Sequence, residues 1–179
     1  MNRSTTDVAF SPSVKAAQEC AGSRAAYARL EARGGWPVQI SAELAAFIAA
    51  RDSLYFATAS SDGQPYVQHR GGPPGFLEVL DPDTLAFDDL EGNRQYITLG
   101  NLADNPKAFI FLMDYENQRR VKLWGTARVD SDGAKRRIVF RVTAWDINCP
   151  KHIPRKYDAA KIDALFAQAQ RDQGGATSA

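Results

Sequence analysis

Two short segments of the chain place an arginine beside glycine or amide-bearing residues at the ends of predicted strands. Residues 68–72 contain Arg70, and residues 92–95 contain Arg94. Two guanidinium groups on neighbouring strands or turns can bind one phosphate, because each donates two parallel, charge-assisted hydrogen bonds. The glycines of the first segment remove Cβ atoms where a ligand would need close approach to the backbone. This pattern predicts a phosphate-bearing small molecule lying across a sheet edge.

The alternative interpretation is that both arginines are solvated and that residues 71–75 form only a hairpin loop. A buried dianionic phosphate needs several hydrogen bonds to offset its desolvation, and each charge-assisted bond contributes about 1.5–3 kcal/mol. Arg70, Arg94 and Asn93 together carry several suitable donors. The chain has neither a Walker loop nor a GxGxxG motif, so neither an ATP site nor a Rossmann-type site is indicated.

Composition limits the classes of partner. The chain has 179 residues, of which 44% are hydrophobic, enough for one domain with a substantial core. Its 22 Lys and Arg against 21 Asp and Glu create no overall field that would attract nucleic acid or anionic lipid. The apolar runs are too short to cross a bilayer, and the N-terminus lacks the apolar core of a signal peptide. We therefore expect a cytoplasmic protein without nucleic-acid or membrane partners.

The cysteines and histidines do not form a metal-binding pattern. Cys20 and Cys149 lie far apart and lack CxxC spacing, and His69 and His152 are the only histidines. No metal site is therefore expected. Cys149 could serve as a nucleophile with His152 as its base, but a buried structural thiol is the more common situation.

Hydrophobic periodicity predicts a mainly β protein with flanking helices. Helices are predicted at residues 13–33 with a break near 22–23, 42–51, 92–105 and after Asp158, whereas residues 1–10 are expected to be frayed and the tail from Gln173 disordered. Strands are predicted at residues 54–59, 65–70, 76–80, 84–88, 108–115, 119–129 and 138–148. These strands form an antiparallel meander, and closure into a barrel is the usual way to remove its exposed edges.

Six segments follow one another in an order and at separations that are specific together, although none is diagnostic alone: residues 51–59, 68–72, 92–94, 101–106, 121–125 and 149–155. Through them the chain resembles the pyridoxamine-5′-phosphate-oxidase-like FMN-binding split-barrel family, and more narrowly its bacterial flavin-nucleotide-binding branch. The resemblance implies a six- to seven-stranded antiparallel split β-barrel over residues 41–157, preceded by an N-terminal helical extension (1–40) and followed by a C-terminal helix and tail (158–179). It also implies a homodimer that binds FMN at its interface.

The resemblance assigns the phosphate contacts to the two arginine segments. Arg70 stands where the family's strand arginine meets the flavin or its phosphate. Asn93 and Arg94 match the serine-or-asparagine plus arginine that hold the phosphate. Gln95 stands where the oxidases carry a lysine.

Further cofactor contacts follow from the same resemblance. His69, Gly71 and Gly72 occupy the segment whose backbone runs along the isoalloxazine ring, where N–H groups could tune the flavin's potential. Asp88 and Asp89 align with the strand end beside the flavin's pyrimidine side, and a carboxylate there could instead orient Arg70 or Arg94. His69 is the one candidate for acid or base catalysis, with a simple structural hydrogen bond as the equally weighted alternative.

Five more residues are candidate contacts. Arg120 occupies the position where the oxidases use a glutamine from the partner subunit, and Trp124 could stack at the flavin edge, although core or interface packing is commoner for such a tryptophan. Lys151, His152 and Arg155 lie in a proline-flanked loop that suits an anionic substrate or the partner's FMN, or else only caps the barrel.

The implied function is that of a flavin-dependent oxidoreductase acting on a small redox substrate. The oxidases' C-terminal segment of tryptophan and arginines is not matched, so pyridoxal-phosphate synthesis is not expected. One alternative is a non-catalytic flavin-binding or storage module. Another is a split barrel that binds haem or deazaflavin, for which His69 or His152 would have to supply any axial ligand.

Overall fold

The structure, a computed structural model, describes residues 4–133, 135–147 and 150–175. Within these ranges seven strands form one antiparallel sheet: β1 Ser53–Ala59, β2 Pro65–Gly71, β3 Glu78–Asp81, β4 Thr84–Asp88, β5 Lys107–Asp114, β6 Arg119–Asp132 and β7 Lys135–Ile147. Their order in the sheet is β2-β1-β5-β6-β7-β4-β3. The antiparallel, mainly β architecture predicted from the sequence is confirmed. The predicted simple meander is wrong, because β1 pairs with β5 and β4 pairs with β7. Residues Asn148 and Cys149, which the sequence placed at and just after the last strand, lie outside the described residues.

The sheet has a buried inner face and a partly exposed outer face, as strict alternation requires. On β5, Ala108, Ile110 and Leu112 are buried, whereas Phe109 and Phe111 point to the outer face and are half-buried. The inner face closes over a core that includes Phe56, Phe87, Leu123 and Phe140, and helices α3 and α4, described below, contribute to it: Leu44, Phe47, Ile48 and Leu102. Each such side chain stabilises the fold by about 1.5–3 kcal/mol through burial.

A β-bulge interrupts the pairing of the two longest strands. The register of β6 with β7 shifts between Trp124 and Gly125. At Gly125 the backbones approach so closely that a Cβ atom would overlap the carbonyl oxygen of Arg141 and lie 2.7 Å from the ring of Phe140. A bulge of this kind bends the strand and tightens the curl of the sheet.

The described residues contain five α-helices: α1 Pro12–Cys20, α2 Arg24–Ala32, α3 Ala42–Ala49, α4 Ile97–Asp104 and α5 Ala159–Gly175. The predicted break between the first two is confirmed at Gly22, whose φ of 71° only glycine adopts readily. Ser41 caps α3, and the carboxylate of Asp158 accepts from Lys161 N at 2.7 Å at the start of α5. Among the described residues no helix is both long and apolar enough to cross a membrane.

Three predictions about segment ends were wrong. Residues 5–8 are not frayed but form a 3-10 helix capped by Ser4, because Thr5 Oγ1 donates to Trp36 O at 2.7 Å and anchors the segment. Helix α4 begins at Ile97 rather than at residue 92, because Arg94 and Tyr96 have left-handed φ angles of 59° and 54°. Helix α5 continues through residue 175, beyond the predicted end at Gln173; residues 176–179 lie outside the described part.

Candidate functional site

A small cleft, partly open to solvent, lies where the inner face of β2 meets the loop before α4. Its walls come from the end of β2, the segment after β4, the start of α4 and the start of β7. The residues that line it are Tyr66, Gln68, Arg70, Asp89, Leu90, Gly92, Asn93, Arg94, Gln95, Tyr96, Ile97, Thr98, Leu99 and Arg136. Both arginine segments singled out in the sequence therefore meet in one cleft.

Two guanidinium groups share one carboxylate in this cleft. Arg70 Nη1 lies 2.8 Å from Asp89 Oδ1, and Arg136 Nε donates to Asp89 Oδ2 at 2.9 Å. The Asp89 side chain is only 6% exposed and that of Arg70 only 13%. The hydrogen bond to Asp89 also raises the pKa of the Arg136 guanidinium above its ordinary value. The cluster of Arg70, Asp89 and Arg136 carries a net charge of one positive unit.

Arg70 retains an unused donor. Its Nε atom is buried and has no hydrogen-bond partner among the described residues. A buried charged donor without an acceptor costs about 1–3 kcal/mol or more, and native structures usually explain such a group by a ligand, an ion or a water. Because Arg70 lines the cleft, an acceptor atom of a ligand could satisfy Nε.

The loop before α4 holds its backbone in an uncommon conformation. Arg94 and Tyr96 both adopt left-handed φ angles although neither is glycine, which costs about 1 kcal/mol or more each. Asn93 Oδ1 accepts from Gln95 N at 3.3 Å and shapes the turn. Strain of this kind concentrates at ligand sites, where successive backbone N–H groups can be turned toward an anion.

The N-terminus of α4 opens onto the same cleft. Tyr96 occupies its N-cap position, and the ring of Tyr96 lies 5.6 Å from the Arg136 guanidinium carbon. Thr98 Oγ1, in the first turn, donates to Gln68 Oε1 at 3.1 Å and ties the helix to β2. The partial positive charge of a helix N-terminus adds to the arginines in favouring an anion there.

Sequence comparison places the chain in a family. Residues 40–165 match the family model described as pyridoxamine 5′-phosphate oxidase. The chain belongs to the pyridoxamine 5′-phosphate oxidase family. The resemblance inferred from the six short segments is therefore confirmed.

Solved structures support the same assignment at the level of the fold. HupZ of group A Streptococcus is 19% identical with a TM-score of 0.51, over 66% of this chain and 99% of HupZ. A candidate pyridoxamine 5′-phosphate oxidase from Lactobacillus delbrueckii is also 19% identical, with a TM-score of 0.50 over 62% of this chain and 95% of that chain. These likenesses confirm the split-barrel fold. No curated protein matches the chain by sequence.

The sequence analysis named Asp88 as a cofactor contact, but the carboxylate found in the cleft belongs to Asp89. Asp88 points away from the cleft: it is exposed, and its Oδ1 lies 3.6 Å from Arg137 Nε. The neighbouring Asp89 pairs with Arg70, which fits the alternative that a carboxylate at this strand end orients an arginine. Arg136 was missed by the sequence analysis. Its signal was the antiparallel pairing of β4 with β7, which places Asp88 opposite Arg137 and so brings Arg136 beside Asp89.

Two of the predicted flavin-ring contacts are on the other face of β2. Because alternate side chains of a strand point to opposite faces, Arg70 faces inward and His69 outward, where its ring lies 5.7 Å from that of Tyr55. Gly71 also falls on the outer side. Gly72 has a packing reason of its own, since a Cβ atom there would lie 2.7 Å from Phe76 Cβ. Contact of these residues with a flavin ring stays a prediction.

The predicted contacts on β6 also lie on the outer face. Trp124 stacks on Trp36 of the N-terminal extension, with ring centroids 4.7 Å apart and planes inclined by 8°. The alternative role of Trp124 in packing is therefore observed, and the N-terminal extension covers one ring face. Arg120 lies opposite Met113 of β5, and its Nε atom is buried without a hydrogen-bond partner in the described ranges.

The cationic loop near the C-terminus packs against the β5–β6 turn. Gln118 Nε2 donates to Ile153 O at 2.7 Å, and Arg155 Nε donates to Gln118 Oε1 at 3.3 Å. Lys151 and His152 are exposed. These residues do not line the arginine cleft within the described chain, so their part in binding a partner's ligand stays a prediction.

Proposed function

We propose that the arginine cleft binds the phosphate group of FMN. The observation that carries this proposal is that Arg70 lines the cleft and that its buried Nε, a charged donor, has no acceptor among the described residues. A phosphate oxygen supplies such an acceptor, and charge-assisted contacts of this kind contribute about 1.5–3 kcal/mol each. Arg136, Asn93 and the first turn of α4 offer further donors around the same space.

The two arginines differ in how they can donate hydrogen bonds to a phosphate. Arg70 is held in place by Asp89, whereas Arg94 is 69% exposed and pairs with Glu91 at 2.6 Å. An exposed ion pair contributes little to stability and opens at little cost. Arg94 can therefore turn to a phosphate when one binds, and its contribution to affinity is smaller than that of Arg70.

The apolar ring of FMN requires a surface that the polar cleft does not offer. We propose that the ring lies at an interface between two copies of the chain. The outer face of the sheet supports this, because Tyr55 is 38% exposed and Val67 is 59% exposed on neighbouring strands. Phe109 and Phe111 lie half-buried on the same face, where β5 pairs with β1. Exposed apolar residues grouped in this way mark an interaction surface.

Bound FMN would supply two-electron redox chemistry, and we propose an oxidoreductase that acts on a small molecule. The residues of the chain would bind and orient the cofactor: the arginines hold its phosphate, and the outer face excludes water from its ring. His69 beside Tyr55 lies on that outer face and is the candidate to hold or release a proton. The proposal names no particular substrate and does not include the oxidation of pyridoxamine phosphate.

A non-catalytic flavin-binding or storage module is the second candidate. The observation that favours it is the placement of His69 on the strand face opposite to Arg70. The residues that line the described cleft include no histidine, the side chain most often used for proton transfer. Failure of reduced nicotinamides to bleach tightly bound FMN would favour this candidate over the oxidoreductase.

The phosphate site is tested by comparing FMN with riboflavin, which has the same ring but no phosphate. Titration of the ligand-free protein, followed by quenching of flavin fluorescence, should give an affinity for FMN at least tenfold higher than for riboflavin. Equal affinities would show that the phosphate is not recognised. Absence of binding by both would remove flavin from the proposal.

The shared interface is tested by the size of the protein in solution. Light scattering should give twice the 19.6 kDa mass of one chain. Val67→Glu places a charge on the outer face and should shift the protein toward monomer, because a buried unpaired charge costs several kcal/mol. Val79→Glu is the matched control, since Val79 is 37% exposed at the other end of the sheet, on β3. A wild-type monomer with full FMN affinity would contradict the shared site.

A further inference from the structure

Asp89 places a negative charge inside the cleft that we propose binds a negatively charged phosphate group. Its carboxylate is 6% exposed and lies between two guanidinium groups that line the same space. On charge alone, this residue should repel a phosphate and compete with it for Arg70 and Arg136. Removal of the carboxylate should then strengthen phosphate binding.

The geometry points to the opposite effect. Asp89 takes one donor from each arginine, Nη1 of Arg70 and Nε of Arg136. Arg70 Nε remains without an acceptor among the described residues. The carboxylate therefore occupies only part of each guanidinium's hydrogen-bonding capacity, which comprises five N–H groups.

Without Asp89 no anion would lie between the two like charges of this partly buried site. Like charges at short range in a partly buried site repel strongly, and flexible arginine side chains relieve that repulsion by moving apart into solvent. Arg136 is 29% exposed, so its side chain already reaches solvent. A phosphate would then have to gather both side chains as it binds, at a cost in side-chain entropy.

We infer that Asp89 is a positioning residue, which holds Arg70 and Arg136 together before the ligand arrives and so raises the affinity of the cleft for a phosphate group. This inference rests on the proposed FMN site and specifies how that site is assembled. It deals with the arginines only; the flavin ring plays no part in it.

The test is the sign of the change in affinity for Asp89→Asn. This substitution keeps the size of the side chain and removes its charge. Affinity for FMN should fall about tenfold, as for the loss of one charge-assisted contact, while affinity for riboflavin stays the same. Asp89→Glu keeps the charge and should retain more FMN affinity than Asp89→Asn.

Asp88→Asn is the matched control. It makes the same change in net charge one residue away, at an exposed carboxylate. In the described residues the ion pair of Asp88 is with Arg137. Its FMN affinity should equal that of the wild type. Thermal unfolding of each ligand-free variant shows whether the fold is intact.

The outcomes separate the inference from the proposed function. Wild-type protein that binds FMN and an Asp89→Asn variant that binds it equally or more tightly would overturn the inference alone. An equal fall in affinity for FMN and riboflavin would show a general structural effect and would also overturn it. Wild-type protein that fails to prefer FMN over riboflavin would overturn the proposed phosphate site and the inference with it.

Discussion

Replacement of Arg70 by alanine should weaken FMN binding about 10- to 100-fold, the largest loss among single substitutions in the cleft. The variant loses the buried Nε donor and leaves Asp89 with one guanidinium partner instead of two. Because Asp89 is then under-compensated, it also adds repulsion toward a phosphate. Fluorescence titration with FMN and riboflavin measures the effect, and riboflavin affinity should change little.

Alanine variants of two other arginines serve as a comparison and a control for the Arg70→Ala result. Arg94→Ala should cause a smaller loss, since Arg94 is exposed and already paired with Glu91. Arg141→Ala is the matched control, because Arg141 is 70% exposed and pairs with Asp83 at 3.4 Å outside the cleft. Its FMN affinity should equal that of the wild type. Unchanged affinity in Arg70→Ala would remove the phosphate site from the cleft.

Replacement of Gly125 by alanine should destabilise the fold by about 3 kcal/mol, near the upper end for overpacked sites. The added Cβ would overlap the carbonyl oxygen of Arg141 on the paired strand, and that backbone cannot move without breaking the bulge. The free energy of unfolding, from denaturation in urea, measures the loss.

Gly100→Ala makes the same chemical change where there is space for it. Gly100 is exposed within α4, and a Cβ atom there meets no atom within 4 Å. Because alanine favours helices, this variant should be more stable than the wild type by about 0.5–1 kcal/mol. A Gly125→Ala variant as stable as the wild type would show that the bulge is not fixed by close backbone approach.

The strands were predictable because their pattern is local. Alternation on β5 puts Ala108, Ile110 and Leu112 inward, and the period of two is visible without knowledge of the neighbours. The residue types of Arg70 and of segment 92–95 also pointed to one common site, and both line the same cleft. Local periodicity was sufficient for the strands, whereas the common site depended on the family resemblance, because spacing alone left two solvated arginines as an alternative.

The choice between Asp88 and Asp89 was not predictable in the same way. The two residues differ by one position at a strand end, and a shift of one residue exchanges the two faces of a strand. Asp88 pairs with Arg137 and Asp89 with Arg136 only because β4 lies beside β7. That register joins residues far apart in the sequence, which single-sequence patterns do not specify.

The start of α4 was predicted wrongly, and the packing partner of Trp124 was not predicted, for different reasons. Arg94 and Tyr96 adopt left-handed conformations that are uncommon for their residue types. The sequence analysis therefore predicted a helix that begins several residues too early. Trp124 stacks on Trp36, which belongs to the N-terminal extension, and nothing local to either tryptophan indicates the other. Strain and long-range packing became visible only in the folded chain.

An absorption spectrum of the purified, untagged protein, with the released chromophore identified by mass, tests the central claim most directly. The arginine cleft and the exposed outer face predict the two-band spectrum of a flavin and the mass of FMN. A colourless protein that also fails to take up added FMN would contradict the account, and so would a sharp Soret band, which would identify haem in place of flavin.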